Sequence, residues 1–319
     1  MPTYRRLCTF RNCTLLLILI CLLLVAVWSS GFIHSASFRN FLAGEIVDFS
    51  GADNVTGFNN YIVPNVVHFV KLENHELEFV DMISIKAAFL HQHPEKILIH
   101  CDCQTLSGKY WEMVKDLPGL EIKFIQKPIY IFGQKLSSVY HASDIARLRI
   151  LMSEGGIFLD SDAYVVKSLD PFRKFEMAIG WPPEQNLGTQ VIIAHKNARF
   201  LKLWYHSYKY YKPERWYYNA GELPTQMILM RQPDLVHRVP YDFGVHDLAH
   251  FLYGVHRSDW QNFHAIHLLI RHKSYLVPSD PLEKFDEKNI KAYDKTFGDM
   301  ARLVLFGKTD VILNVTSNV

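Results

Sequence analysis

The sequence predicts an α/β domain with a mostly parallel central sheet, preceded by one transmembrane helix. Three observations predict it. An unbroken apolar run lies near the N-terminus, short apolar runs alternate with helically spaced ones from Tyr61 onward, and a strongly patterned helix stops at Gly155-Gly156 just before another apolar run. Alternation of strand and helix patterns is the sequence form of repeated βαβ units, whose crossovers make neighbouring strands parallel.

The apolar run Leu15 to Val27 sits within a stretch from Cys13 to Ile33. As a helix that stretch is long enough to cross a hydrocarbon core of roughly 30 Å. Arg5, Arg6 and Arg11 precede it, and positive charge stays on the cytoplasmic side. The expected organisation is a cytoplasmic tail over 1–12, a signal anchor over 13–33, a luminal stem over 34–60 and a folded domain over 61–319. A peptide cleaved near Ser35-Ala36-Ser37 is the competing reading, and both send the domain into the secretory pathway.

The formal net charge of +2 comes with no basic block outside the N-terminal tail, so nucleic acid is excluded as a partner. Of five cysteines only Cys101 and Cys103 fall in the predicted luminal part, which is not a disulfide scaffold. A bridge between residues two apart would be strained on an extended backbone, so the pair reads as structural thiols, with a metal site lacking two further ligands as the alternative. Asn54-Val55-Thr56 and Asn314-Val315-Thr316 are glycan acceptor sequons on the luminal side.

Val66 to Val70 reads as the first strand, and Leu77, Val80, Ile83, Ala87 and Leu90 then fall at helical spacing. Lys96 to His100 gives a second strand, Tyr110 to Leu117 a short helix and Leu120 to Ile125 a third strand. Ala142 to Glu154 is a helix with Ile145, Leu148, Leu151 and Met152 as its apolar stripe, ended by Gly155-Gly156 in a left-handed cap. Ile157-Phe158-Leu159 starts a buried strand. From about Asp170 the chain is less regular, with an aromatic cluster running from Tyr205 through Trp216 to Tyr218. Those rings serve either packing or the binding of sugar C–H faces.

Asp160 and Asp162 close an apolar run, and the strand period of two puts both carboxylates on one face. Two ionised carboxylates presented together need a cation. Mn²⁺ or Mg²⁺ accepts such oxygens and fills its remaining positions with water and substrate phosphates. Ligands of open α/β sheets bind beyond the carboxyl ends of the strands, which is where this pair should lie.

The segment from His141-Ala142-Ser143-Asp144 and Arg147 through Gly155-Gly156 to Asp160-Ser161-Asp162 resembles the signature of the DXD-motif sugar transferases, glycosyltransferase family 32 and its relatives. That family includes α-1,4-galactosyltransferases, α-1,4-N-acetylglucosaminyltransferases and fungal α-1,6-mannosyltransferases. The resemblance implies a GT-A-type, Rossmann-like nucleotide-sugar-binding domain over 61–319 and a retaining transfer from a UDP-sugar, with galactose or N-acetylglucosamine favoured. The acceptor would be a glycan on lipid or protein, and the setting a type II Golgi membrane protein facing the lumen. It implies that Asp162 binds the metal, that Asp160 contacts the metal shell and the donor, and that Asp144 and Arg147 hold donor-sugar hydroxyls. Asp144 and Arg147, one turn apart on a helix, could equally form a structural bridge. Val67, His68 and Phe69 match the family's first strand, which lines the uracil and ribose pocket, although Lys71-Leu72 stands where many members carry a stacking aromatic. His267 of Ala265-Ile266-His267 matches a late histidine that reaches the metal or diphosphate, with Leu268 or Leu269 in place of the usual Trp. Gly221 to Thr225 and Asn186 to Thr189 resemble acceptor-side loops.

Two other functions compete. Aspartyl-phosphate phosphohydrolases also place Asp-x-Asp after a strand, but follow it with Thr or Val where this chain has Tyr164. A secretory-pathway partner or chaperone could keep the fold without the chemistry.

Overall fold

A computed structural model describes residue 49 and residues 53–313. The predicted tail, the span at 13–33, most of the stem and the sequon at Asn314 lie outside the described residues, among which no helix is long and apolar enough to cross a membrane.

Seven strands form the central sheet: β1 (Val66–Lys71), β2 (Lys96–Cys101), β3 (Leu120–Phe124), β6 (Gly156–Leu159), β8 (Met177–Gly180), β9 (Val191–Ala194) and β10 (His237–Val239). A small hairpin joins β4 (Tyr130–Ile131) to β5 (Gln134–Lys135), and β7 (Ala163–Val165), β11 (Phe243–Gly244) and β12 (Ala265–His267) make a second sheet. The order of the large sheet is β10-β8-β9-β6-β1-β2-β3. Only β9 runs against its neighbours, pairing antiparallel with β6 and β8. The helices are α1 (Phe79–Gln92), α2 (Lys109–Glu112), α3 (Val139–Glu154), α4 (Arg199–Ser207), α5 (Ala249–Tyr253), α6 (Lys273–Leu276) and α7 (Thr296–Phe306).

Both faces of the sheet's centre are covered, which is why its strands read as apolar runs. Along β6, Ile157 and Leu159 join a core with α1 and α7, while Phe158 between them joins a second core with α3 and α4. Val191 and Ile193 of β9 divide from Ile192 and Ala194 in the same way.

Helix α3 starts three residues before the expected Ala142, because Ser138 caps it by accepting the His141 N–H at 3.2 Å. Gly155 ends it with φ 68° and ψ −167°, an extended turn rather than the expected left-handed cap. Gly156, at φ 113°, must be glycine, since a Cβ there would meet His68 Nε2 at 2.6 Å and the Val66 carbonyl at 2.7 Å. The pair thus lets β6 lie against β1. Residues Tyr110 to Leu117 hold only one helical turn, α2, because Trp111 and Val114 are drawn into the core and the chain turns at Gly119 toward β3. The end of the expected stem is part of the folded unit: the Phe58 N–H donates to Lys174 O at 2.9 Å, and the Asn54 side chain donates to Asp234 O at 2.7 Å.

Cys101 and Cys103 are joined in a disulfide with Cα atoms 5.1 Å apart, which corrects the reading as free thiols. Strand β2 stops at Cys101 and the chain bends at Asp102, so the backbone is not extended there.

Candidate active site

An open cavity of about 790 Å³ lies at the carboxyl ends of β1 and β6, within the usual range of ligand pockets. Asp160-Ser161-Asp162 forms its floor, but not as strand residues. Strand β6 ends at Leu159, and residues 160–162 are a turn closed by the Ala163 N–H donating to Asp160 O at 2.9 Å. Strand β7 then leaves in a new direction and pairs antiparallel with β12, opposing His267 to Ala163. The Leu268 N–H donates to Asp162 O at 2.8 Å and completes the join. Two segments distant in sequence thereby meet, and ligand atoms of Asp160, Asp162 and His267 lie within 4.8 Å of one another. His267 Nε2 is 3.4 Å from Asp162 Oδ1, and its Nδ1 faces the Val245 carbonyl at 3.4 Å. The carbonyl can only accept, so it holds a proton on Nδ1. Burial opposes the ring's charge, but Asp162 and Asp160 outweigh it and raise its pKa, so Nε2 is protonated toward Asp162 and would give up that proton to take an ion. Two carboxylates and an imidazole fit a divalent ion such as Mn²⁺ or Mg²⁺.

Arg147 is the hinge of the floor. One guanidinium nitrogen lies 3.2 Å from Asp144 and 3.0 Å from Asp160, and the other donates to Thr189 O at 3.0 Å. Its plane rests 4.7 Å over the Phe158 ring. The expected Asp144–Arg147 bridge exists, and Arg147 also ties the α3 motif to the Asp-x-Asp turn. Arg147 Nε is buried with no hydrogen-bond partner among the described residues. It is an unused donor bordering the cavity.

The electrostatics divide the two carboxylates. Burial pushes Asp160 upward, against the pull of Arg147 and with the push of Asp162. Burial also opposes the charge of Asp162, but His267, Arg271 and the Ile270 N–H outweigh it and hold its carboxyl down at about 2. Asp144 is raised by burial despite Arg147. Asp162 is therefore the fixed anion of the floor.

Val67, His68 and Phe69 do not reach the cavity, a correction to the expected nucleoside contacts. Val67 and Phe69 point into the core beneath the sheet. His68 points to the other face, where Nε2 donates to Gly155 O at 2.9 Å and Nδ1 faces His100 Nε2 at 2.9 Å. The wall is built one step later, by Val70, Lys71, Leu72 and Asn74 with Asp81 of α1. Lys71 is spent on Asp81 at 2.6 Å.

The irregular second half supplies most of the opposite wall, joined there by Tyr140 from the first turn of α3. Trp216 and Tyr140 are 49% and 41% exposed, with ring centroids 4.6 Å apart. Arg271 lies 4.4 Å over Tyr140 and borders the cavity. Tyr208 and Tyr211 of the aromatic cluster are core residues instead. The two loops expected on the acceptor side meet each other: Leu187 N–H donates to Thr225 Oγ1 at 3.0 Å, and Tyr217 OH donates to Leu187 O. Thr189 and Ala220 border the cavity, whereas Gly221 to Thr225 do not. Leu268 and Leu269, at the position of the expected Trp, are buried in the core. Sequence reasoning missed Arg271, four residues after His267. Its placement depends on a left-handed Leu269 with φ 52°, which no pattern announces.

Residues 82–179 match the glycosyltransferase sugar-binding region containing the DXD motif. Glucan organizing enzyme 1 of Cryptococcus neoformans var. grubii is 25% identical over 184 residues, spanning 52% of this chain and 50% of that protein. The match thus covers about half the length of the relative. Among solved structures, the PaToxG glycosyltransferase is 21% identical over 58% of this chain and 76% of that chain, with a TM-score of 0.40. The galactosyltransferase LgtC, solved with donor and acceptor sugar analogues, is 11% identical over 77% of this chain and 97% of that chain, with a TM-score of 0.43. The matched region contains Asp144, Arg147, Asp160 and Asp162, the residues that meet on the cavity floor. Over residues 82–179 the chain is similar to the sugar-binding region of the glycosyltransferases that contain the DXD motif, which falls here at Asp160-Ser161-Asp162.

Proposed function

We propose that the protein is a divalent-metal-dependent, retaining glycosyltransferase that moves a hexose or N-acetylhexosamine, galactose or N-acetylglucosamine first among them, from a UDP-sugar to a glycan on lipid or protein. The observation that carries this is the convergence of Asp160, Asp162 and His267 beside the Asp144–Arg147 pair on one cavity floor.

In this reading the wall from Val70 to Asn74 takes the nucleoside, and Asp144 and Arg147 hold the donor sugar by its hydroxyls. Arg271 faces the diphosphate. A divalent ion on Asp160, Asp162 and His267 would neutralise charge that builds on the leaving phosphate. The bond from the anomeric carbon to the phosphate oxygen breaks as the acceptor oxygen bonds to the same face, and the acceptor's proton passes to the leaving phosphate oxygen. No protein base is needed. Trp216 and Tyr140, half exposed on the opposite wall, suit the apolar face of an acceptor sugar. The anchor expected over 13–33 would hold the domain in the Golgi lumen as a type II membrane protein.

The phosphohydrolase reading loses support from the site itself. Tyr164, where that class carries Thr or Val, is fully buried and donates to Met300 O at 3.0 Å, and Asp160 is held by Arg147. A panel of UDP- and GDP-sugars, incubated with the protein with and without Mn²⁺, tests the proposal. Metal-dependent release of nucleotide from one donor, lost in Asp162→Ala, is expected. No turnover and no metal-dependent nucleotide binding would overturn it and leave a non-catalytic partner. Hydrolysis of an aryl phosphate would favour the phosphohydrolase.

A further inference from the structure

The Cys101–Cys103 disulfide encloses a single residue, Asp102, at the carboxyl end of β2. The Asp102 carboxylate points across to the loop between β1 and α1. Its Oδ1 accepts the Glu73 backbone N–H at 3.0 Å and His75 Nε2 at 2.9 Å. Glu73 sits in the left-handed region at φ 66°, a conformation costly for a glutamate unless its surroundings impose it. Lys127 holds the Glu73 side chain at 2.6 Å from the third side. Leu72 and Asn74, the residues on either side of Glu73, border the cavity. A bend that holds one carboxylate therefore sets the backbone of the cavity wall. Asp102 is partly buried, which works against its charge, yet His75 and the Glu73 N–H lower its pKa below the ordinary value, so it stays the charged acceptor these contacts require.

Resting on the donor assignment above, we propose that Asp102 is a positioning residue for the nucleoside wall and that the Cys101–Cys103 disulfide makes this wall sensitive to reduction. A dithiol supplies the two electrons: the sulfur–sulfur bond breaks, both cysteines become thiols, and the dithiol closes into its own disulfide. The three-residue ring opens, Asp102 gains rotational freedom, and the Glu73 amide loses its acceptor. Cys101 is fully buried while Cys103 retains 9% exposure, so Cys103 is the more accessible of the two to a dithiol. The ring touches neither the Asp160-Asp162-His267 cluster nor Arg147, so donor binding should change without the bond-making step.

The test uses the full chain, oxidised or treated with dithiothreitol, together with Asp102→Ala and Asp102→Asn. Hydrogen–deuterium exchange over residues 72–77 reads the loop, and titration with UDP and Mn²⁺ reads the wall. Exchange at the Glu73 amide should quicken by roughly tenfold or more on reduction and in Asp102→Ala, while α3 is unchanged. UDP should bind roughly tenfold more weakly, the equivalent of one charge-assisted hydrogen bond. Asp102→Asn, which keeps an acceptor oxygen, should restore most of both. With a turned-over donor, KM should rise and kcat hold. Unchanged loop exchange on reduction would overturn the proposal, as would equal exchange in Asp102→Ala and the parent, or a fall in kcat without a rise in KM. If the loop responds but UDP with Mn²⁺ binds neither form, the donor assignment falls and the coupling of disulfide to loop stands.

Discussion

The two walls of the cavity are made in different ways. The near wall and floor come from α1 and α3 and from the loop and turn that follow β1 and β6, short connections whose positions the regular elements set. The far wall comes from irregular chain after Asp170, where wide π-type turns over Tyr218–Glu222 and Thr225–Leu229 and short helical turns lie between the strands. Wide turns of this kind often mark functional segments. The Asp160, Asp162 and His267 cluster straddles the difference, with two carboxylates from the turn after β6 and His267 from β12. Regular elements can thus fix a charge pair, while the third ligand depends on a small sheet that couples the halves.

The predictions test that division. Asp162→Ala should cost most, roughly 10² to 10³ in kcat, because it removes the floor's fixed anion; a donor-turnover assay that finds less than a tenfold loss would shift the ion's principal ligand to the other side. Removing His267 should cost less. His267→Ala is expected to weaken Mn²⁺ binding by roughly ten- to a hundredfold, measured by calorimetry, with nucleotide binding at saturating metal largely kept. If Mn²⁺ affinity does not move, the coupling of β7 to β12 serves only folding.

On the far wall, Trp216→Ala should raise the acceptor KM by roughly three- to tenfold with the donor KM unchanged. An effect on the donor instead would mean that Trp216 faces the diphosphate through Arg271. The smallest effect concerns stability. Gly155 O can only accept, so neutral His68 carries its proton on Nε2 and its Nδ1 accepts from His100 Nε2; the other His100 nitrogen is buried without a partner. Burial lowers both rings, His100 to about 3. Unfolded histidines take up protons below about pH 6.5 whereas these resist it, so stability is full above that pH and falls as the pH drops toward the folded values, by up to about 1.4 kcal/mol per unit for His100 with a further loss from His68. Urea unfolding at about pH 7.5 and about pH 5.5 should show the loss, and His100→Gln should reduce the slope. A midpoint independent of pH would mean that protonation is tolerated there.

Strands β1 and β2 and helices α1 and α3 were legible within a few residues because each buries apolar side chains at its own period, and β3 because Leu120 and Ile122 alternate toward the core. The α2 segment was not, since a single turn carries too few residues to show a period. The Asp-x-Asp pair was legible as a pair, but for the wrong backbone reason: a turn after β6, not strand alternation, brings the carboxylates together. At β1 the period was right and its consequence wrong. Val67 and Phe69 face the core and His68 the opposite side, so only the loop after the strand meets the cavity.

By itself, the sequence determined the order of strands and helices through β6, the glycine pair that ends α3, and the acidic pair that follows β6. These follow from local sterics and from burial repeated along an element. Only the tertiary structure decided that His267 joins Asp162, that Arg147 bridges Asp144 to Asp160, that Arg271 borders the cavity, and that Asp102 is closed in a disulfide ring against the β1–α1 loop. Each is a contact between segments brought together by strand pairing and packing, and its free energy comes from both partners at once, so neither segment carries its signature alone.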